Sequence, residues 1–272
     1  MIDSEVLSIE KTGHVATLWL DRPERRNAFG PALWADLPKA MAALGADDDV
    51  RAVVLAARGP AFTVGLDLKE MAFALLPPDA ETGARRRMDF YRGLKELQAA
   101  VSSVAACPKP VLAAVHGYCI GAGVDLITAC DVRLASADAV FSVRETRMAL
   151  VADLGTLQRL PKIINPGFVA ELAYTGKDIT AARAREMGLV TGLYEDREAL
   201  HAAAQAMAEE MAANSPLVVQ GVKAVLRQGA HLSVEDALAY VALWNTSFMH
   251  SNDLAEAVTA FFEKRAPEFT GT

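Results

Sequence analysis

One stretch, Lys109 to Pro161, restricts this chain more than any other: KPVLAAVHGYCIGAGVDLITACDVRLASADAVFSVRETRMALVADLGTLQRLP. It opens with a short apolar run, residues 110–115, β-branched at its ends, that reads as a buried strand. GYCIGAGVD is a glycine turn into a second apolar run, residues 124–130, that reads as a buried helix. A further apolar, alternating segment (residues 132–143) precedes a loop carrying Glu145 and Asp153. Asp125 therefore falls in the first turn of an apolar helix, and two more carboxylates follow among Val, Met, Leu and Ala. Acids in such company are costly unless paired, hydrated or used. Each also has a structural explanation: Asp125 as a partner of the helix dipole, Glu145 as half of an ion pair with Arg144 or Arg147, and Asp153 as the N-cap of a helix through Leu160.

The rest of the composition narrows the class. A chain of 272 residues, about half of them apolar, can bury a large core. Its net charge of −7 argues against a nucleic-acid partner. No apolar run reaches the roughly 18 residues of a membrane span, and MIDSEVLSIEK lacks a signal-peptide pattern. Cys107, Cys119 and Cys130 lie in or beside apolar segments and read as buried thiols in a reducing compartment. The five histidines show no metal-ligand spacing, so no metal is expected. A cytoplasmic enzyme or binding protein, with no membrane partner, is the expectation.

In chain order, residues 5–10 and 14–20 read as a hairpin about Thr12-Gly13. RPERRNAFG is a polar loop, and Pro31 opens an amphipathic helix through Leu33, Leu37, Met41 and Leu44 to Gly45, with Pro38 as a possible break. Residues 50–55 form a third strand, followed by a glycine turn, AFTVGLDLKEM, into a short helix. LPPDAETGARRR (76–87) is rich in breakers and reads as a mobile loop. A helix over residues 88–105 turns Phe90, Leu94 and Leu97 inward. Helices capped by Ser215 and by Ser233 with Asp236, and a last one near 254–264, complete the chain. Strand–helix alternation followed by helices alone predicts an α/β core (1–200) with a helical C-terminal region (201–272).

The two glycine turns each sit between an apolar strand and a helix start. Such turns leave N–H groups unpaired at the positive end of a helix dipole, and one from each would suit a developing oxyanion. Close strand–helix packing explains either turn equally well alone. GYCIGAG does not have the G-x-G-x-x-G spacing of a dinucleotide site.

RPERRNAF, AFTVGLDLKEM, KPVLAAVHGYCIGAGVDLITACDVRLAS, TLQRLP and AFFEKR, in this order over nearly the whole chain, resemble the crotonase (enoyl-CoA hydratase/isomerase) superfamily. The resemblance implies the crotonase (ClpP-like) fold, a repeated ββα core with a C-terminal helical region supporting a homotrimer or a homohexamer built as a dimer of trimers. It implies an acyl-CoA thioester substrate, with coenzyme A part of that substrate and no separate cofactor. It places the oxyanion hole at the backbone N–H groups of Leu66, after Gly65, and Ala122, within GAG, where most relatives have glycine. Hydratases carry glutamate at both positions matching Asp125 and Glu145 and have no counterpart of Asp153. Asp125, Glu145 and Asp153 together are similar to the dienoyl-CoA isomerase branch, which converts 3,5-dienoyl-CoA to 2,4-dienoyl-CoA in fatty acid β-oxidation. The expectation is that Glu145 and Asp153 form the proton-transfer pair, with Asp125 an auxiliary acid setting their charge or ordering water. Mutual repulsion should keep at least one of the three protonated near neutral pH. Substrate and coenzyme contacts are carried over to Arg26, Ala28, Gly65, Asp67, Leu68, Lys69, Gly123, Phe261 and Lys264, the last reaching a neighbouring subunit. Met71, Phe73 and Phe90 would line the acyl pocket. Alternatives are an enoyl-CoA hydratase or a non-catalytic acyl-CoA-binding scaffold.

Overall fold

A computed structural model of the chain describes residues 3–71 and 83–272. The strands are Leu7–Thr12 (β1), Val15–Leu20 (β2), Ala52–Ala57 (β3), Val111–Val115 (β4), Tyr118–Ile120 (β5), Val132–Ser136 (β6), Val140–Ser142 (β7), Ile179–Thr180 (β8) and Gly192–Tyr194 (β9). The α-helices are Pro31–Ala46 (α1), Ala84–Ala106 (α2), Ala122–Thr128 (α3), Thr156–Arg159 (α4), Pro166–Thr175 (α5), Ala181–Met187 (α6), Arg197–Ala212 (α7), Pro216–Gly229 (α8), Val234–Phe248 (α9) and Asn252–Glu263 (α10).

The expected hairpin forms, with β1 antiparallel to β2, and the sheet then grows in parallel in the order β1-β2-β3-β4-β6-β9. Every residue of β3 and β4 is buried, so their unbroken apolar sequences cover both faces of a central parallel sheet. A second, smaller sheet runs β5-β7-β8. Consecutive strands divide between the two sheets: β4 lies in the large one and β5 in the small one, and α3 follows. The same split separates β6 from β7. This is the repeated ββα pattern of the crotonase fold. It also corrects the reading of residues 132–143 as one segment, because Ala137 to Ala139 turn the chain from one sheet to the other.

Strand β3 starts two residues later than expected, and α1 runs unbroken through Pro38. An internal proline costs about 3 kcal/mol. Burying Leu33, Trp34, Leu37, Met41 and Leu44 returns roughly 1.5–3 kcal/mol for each large side chain, so the helix persists. Helix α2 begins at Ala84, inside the segment expected as a loop; residues 72–82, including Phe73, lie outside the described residues. Its buried positions are Ala100, Val101 and Val104. Leu94 and Leu97 pack at the edge of the core, whereas Phe90 is exposed rather than turned inward.

The other face of the large sheet is covered by α7, whose Leu200, Ala204, Ala208 and Ala212 recur every four residues against Val54, Leu112 and Leu134. The boundary expected after residue 200 falls inside this helix. Ser215 and Ser233 accept the N-cap hydrogen bonds expected of them. All three cysteines are buried and unpaired. Among the described residues no helix is long and apolar enough to cross a membrane.

Candidate active site

The two glycine turns meet back to back. Thr63 bridges Cys119 of β5 in parallel register, its N–H donating to the Tyr118 carbonyl (2.8 Å) while the Ile120 N–H donates to its own carbonyl (3.2 Å). Gly65 has φ +84°, and a Cβ there would lie 2.7 Å from the Ile120 carbonyl and 3.6 Å from the Ala122 nitrogen. Only glycine permits both the backbone angle and the approach. Gly123 packs as closely on Thr63, so the packing explanation holds for this glycine. Among the described residues, neither the Leu66 N–H nor the Ala122 N–H donates a hydrogen bond. Ala122 is the first residue of α3, where the helix itself offers its N–H no partner. Two adjacent unpaired donors are what an oxyanion requires. The short helix expected after Gly65 is, up to Met71, a turn capped by Asp67.

The three acids come from three neighbouring elements: Asp125 from α3, Glu145 from the turn after β7, and Asp153 from the irregular segment before α4. Asp125 is 1 % exposed, and its Oδ1 accepts the Thr156 N–H at 2.6 Å. Burial pushes its pKa up to about 6, the Asp153 charge adding to the rise while the Thr156 contact and Arg159 pull it down. A carboxylate engaged across the fold to a second helix does more than complement the dipole of its own.

Glu145 follows β7 at the start of a single 3-10 turn. Its Oε1 lies 3.5 Å from the point where a Cβ of Gly121 would project, beside the second donor turn, and its Oε2 is buried without a partner among the described residues. Burial raises it to about 7, with the charges of Asp125 and Asp153 adding. The ion-pair explanation fails, because Arg144 pairs with Asp178 and Arg147 donates to the Thr175 carbonyl. Asp153 is exposed, yet the surrounding protein withholds enough water to raise its carboxyl above the usual range. It does not cap the following helix, whose N-cap is Gly155. All three shifts owe more to desolvation than to the mutual repulsion expected from sequence.

The other carried-over residues divide. Ala28 is buried beside the first turn, and Arg26, Leu68 and Lys69 are exposed along its rim. Met71 is buried. Asp67 is 6 % exposed and already committed: its Oδ1 accepts the Lys69 and Glu70 N–H groups, and Oδ2 faces Arg22 at 3.4 Å. Phe261 and Lys264 stand exposed at the end of α10, and among the described residues no hydrogen bond or ion pair ties them to the acids. No group of three His, Cys, Asp or Glu among the described residues could hold a metal ion.

Two supports escaped the sequence reading. Asn27, 1 % exposed, accepts the Arg22 N–H and donates to the Arg58 and Ala61 carbonyls, bracing the first turn. Its signal was an amide inside an otherwise charged loop, just ahead of Ala28-Phe29. The loop of Asp153 is held by Gln98, Ser102 and Arg159. Arg159 stood within TLQRLP, where only its helical position was legible.

A family model described as enoyl-CoA hydratase/isomerase matches residues 10–272. A mouse protein named mitochondrial Delta(3,5)-Delta(2,4)-dienoyl-CoA isomerase is 41% identical over 96% of this chain and 80% of its own length. An Arabidopsis thaliana protein with the same name, peroxisomal, is 40% identical over 97% of this chain and 96% of its own. The crystal structure of an enoyl-CoA hydratase from Bacillus anthracis superimposes with a TM-score of 0.89 at 30% identity, covering 98% of this chain and all of that one.

Proposed function

Because the chain belongs to the enoyl-CoA hydratase/isomerase family, which acts on acyl-CoA thioesters, we propose that it converts 3,5-dienoyl-CoA to 2,4-dienoyl-CoA. The observation that carries this reading is the third acid. The charge of Asp153 reaches both Asp125 and Glu145, the latter beside the second donor turn, and Asp125 binds the Asp153 loop through Thr156. The relatives named as dienoyl-CoA isomerases support it from an independent side.

The thioester oxygen would sit on the Leu66 and Ala122 N–H groups. Removing a proton from C2 sends negative charge onto that oxygen and along the diene, and reprotonation at C6 leaves the double bonds at 2 and 4. C2 adjoins the thioester carbon, so Glu145, beside the donor turn, is suited to take the first proton; its pKa near 7 leaves much of it ionised at neutral pH. Asp153 then returns a proton further along the acyl chain. Asp125, engaged with Thr156, holds the loop and adjusts the charge of the pair. One donor contributes roughly 10²–10³ in rate, and a positioned acid or base about 10²–10⁴. Arg26 and Lys69 are available to the nucleotide end of coenzyme A, and Lys264 with Phe261 to that of a neighbouring subunit in a trimer or a dimer of trimers. The proposal keeps the cytoplasmic location expected from sequence, although these two relatives carry mitochondrial and peroxisomal in their names; cell fractionation decides it.

The test is an ultraviolet assay with 3,5-octadienoyl-CoA beside a 2-enoyl-CoA in water. The expected result is growth of the conjugated 2,4-dienoyl chromophore, lowered about 10²–10⁴-fold by Asp153→Asn. Loss of the enoyl chromophore with no dienoyl product would instead make the protein a hydratase.

A further inference from the structure

We propose that Arg159 is a positioning residue for Asp153, tying the loop that presents this acid to the long helix α2. The inference rests on the isomerase reading, in which Asp153 must meet the acyl chain at a fixed place. Asp153 lies on irregular backbone and is exposed, and within its own segment only its own N–H faces its carboxyl. The fixing comes from neighbours. Gln98 of α2 donates its side-chain amide to the Asp153 carbonyl at 2.7 Å. Arg159 reaches back from α4 and donates Nη1 to the Leu154 carbonyl (3.2 Å) and Nη2 to the Ser102 hydroxyl on α2 (2.8 Å). Asp125 takes the Thr156 N–H from the other side.

Gly155 completes the device. Its φ is +130°, and the Arg159 guanidinium occupies the space a Cβ would take. Arginine and glycine thus fit as a pair, and side chains hold residues 153–156 at three of four backbone positions, the Gly155 carbonyl accepting helical N–H groups instead. Arg159 also carries the positive charge that counters burial at Asp125. The other titratable groups whose charge couples to Asp125 are Asp153, Glu145 and the Cys119 thiol, all acids.

The test uses Arg159→Met, Arg159→Lys and Gln98→Leu in the full chain, assayed with the dienoyl substrate across neutral pH and followed by amide hydrogen exchange over residues 153–156. A displacement of about 1 Å can cost on the order of 10²-fold. Arg159→Met is therefore expected to lower kcat about 10- to 100-fold with KM little changed, and to speed exchange at Thr156. Its acid limb, set by the Glu145 base, should move to lower pH, because Asp125 ionises less without the cation and then repels the Glu145 charge less. Arg159→Lys should restore the limb but not kcat, since an ammonium lacks the planar fork. Gln98→Leu, on the helix surface, should lower kcat and leave the limb in place, and it serves if Arg159→Met fails to fold. Wild-type kcat, limb and exchange in both Arg159→Met and Gln98→Leu would overturn the proposal. A wild-type protein inert with dienoyl-CoA would overturn the isomerase reading instead. Exchange alone would then decide the tie: faster at 153–156 in Arg159→Met supports it, and unchanged exchange sinks it.

Discussion

At the residue scale, the acids oppose the fold that holds them. Asp125 has a folded pKa of about 6 against about 4 when unfolded. The raised value means the native state binds the proton more tightly, so its contribution is favourable in acid and is lost as pH rises through about 6. Two units correspond to a penalty on the order of 3 kcal/mol for the ionised form. Asp125→Asn keeps an oxygen for the Thr156 N–H and removes that charge. The variant should melt about 6–12 °C higher than wild type at pH 8 by calorimetry, with the gain about halved near pH 5 and gone only below about pH 4, while isomerase activity falls. A gain that persisted unchanged at pH 5 would show that charge is not its source. The acids themselves were legible because a carboxylate in an apolar run is anomalous in any context. Arg159 was not, because an arginine on a short helix looks the same whether it faces water or a loop.

At the scale of elements, long periodic segments were readable and short ones were not. The hairpin, α1, and the C-terminal helices with their serine caps follow from pattern and punctuation. Strands β5, β7 and β8 have two or three residues each, too few to show a period, and they exist because the small sheet supplies partners. Yet β5 is what brings the glycine turns together, through its pairing with Thr63. The start of α2 was lost because Arg85-Arg86-Arg87 reads as a solvated run. The juncture of the turns makes a specific prediction. Gly65→Ala would force an L-residue to φ +84° and push its methyl against the Ile120 carbonyl. The strain should fall on the Leu66 N–H, one residue on, and lower kcat by about 10²–10³, as loss of one oxyanion donor does. Circular dichroism should stay near wild type, because β3 and β4, at the centre of the large sheet, are not involved. A variant with unchanged kcat would remove Leu66 from the oxyanion hole.

At the scale of the whole molecule, the C-terminal helices leave apolar surface uncovered. On α8, Val218, Val222 and Leu226 recur every four residues and are 54 %, 53 % and 69 % exposed. On α10, Leu254, Val258 and Phe261 continue the same habit at 42 %, 49 % and 77 %. A helix normally turns such a stripe toward a core, and contiguous apolar patches on a soluble surface mark contacts with other chains. The opposite faces of α8 and α9 are already occupied by each other, with Gly221 packed on the Trp244 ring. The free stripe therefore suits a second copy of this chain, as in the trimer proposed above. Leu226→Glu places a charge on the most exposed residue of the α8 stripe, where burial against a neighbour would desolvate it. Sedimentation equilibrium should show wild type as a trimer or hexamer and the variant as smaller species. Because Lys264 and Phe261 would then no longer reach a neighbour's site, KM for the coenzyme A thioester should rise in the variant. The acids and donor turns of each subunit would remain, so kcat at saturation should change less. An unchanged mass in Leu226→Glu would exclude this face of α8 from the assembly, and a smaller species with unchanged KM would confine Lys264 to a role within its own subunit.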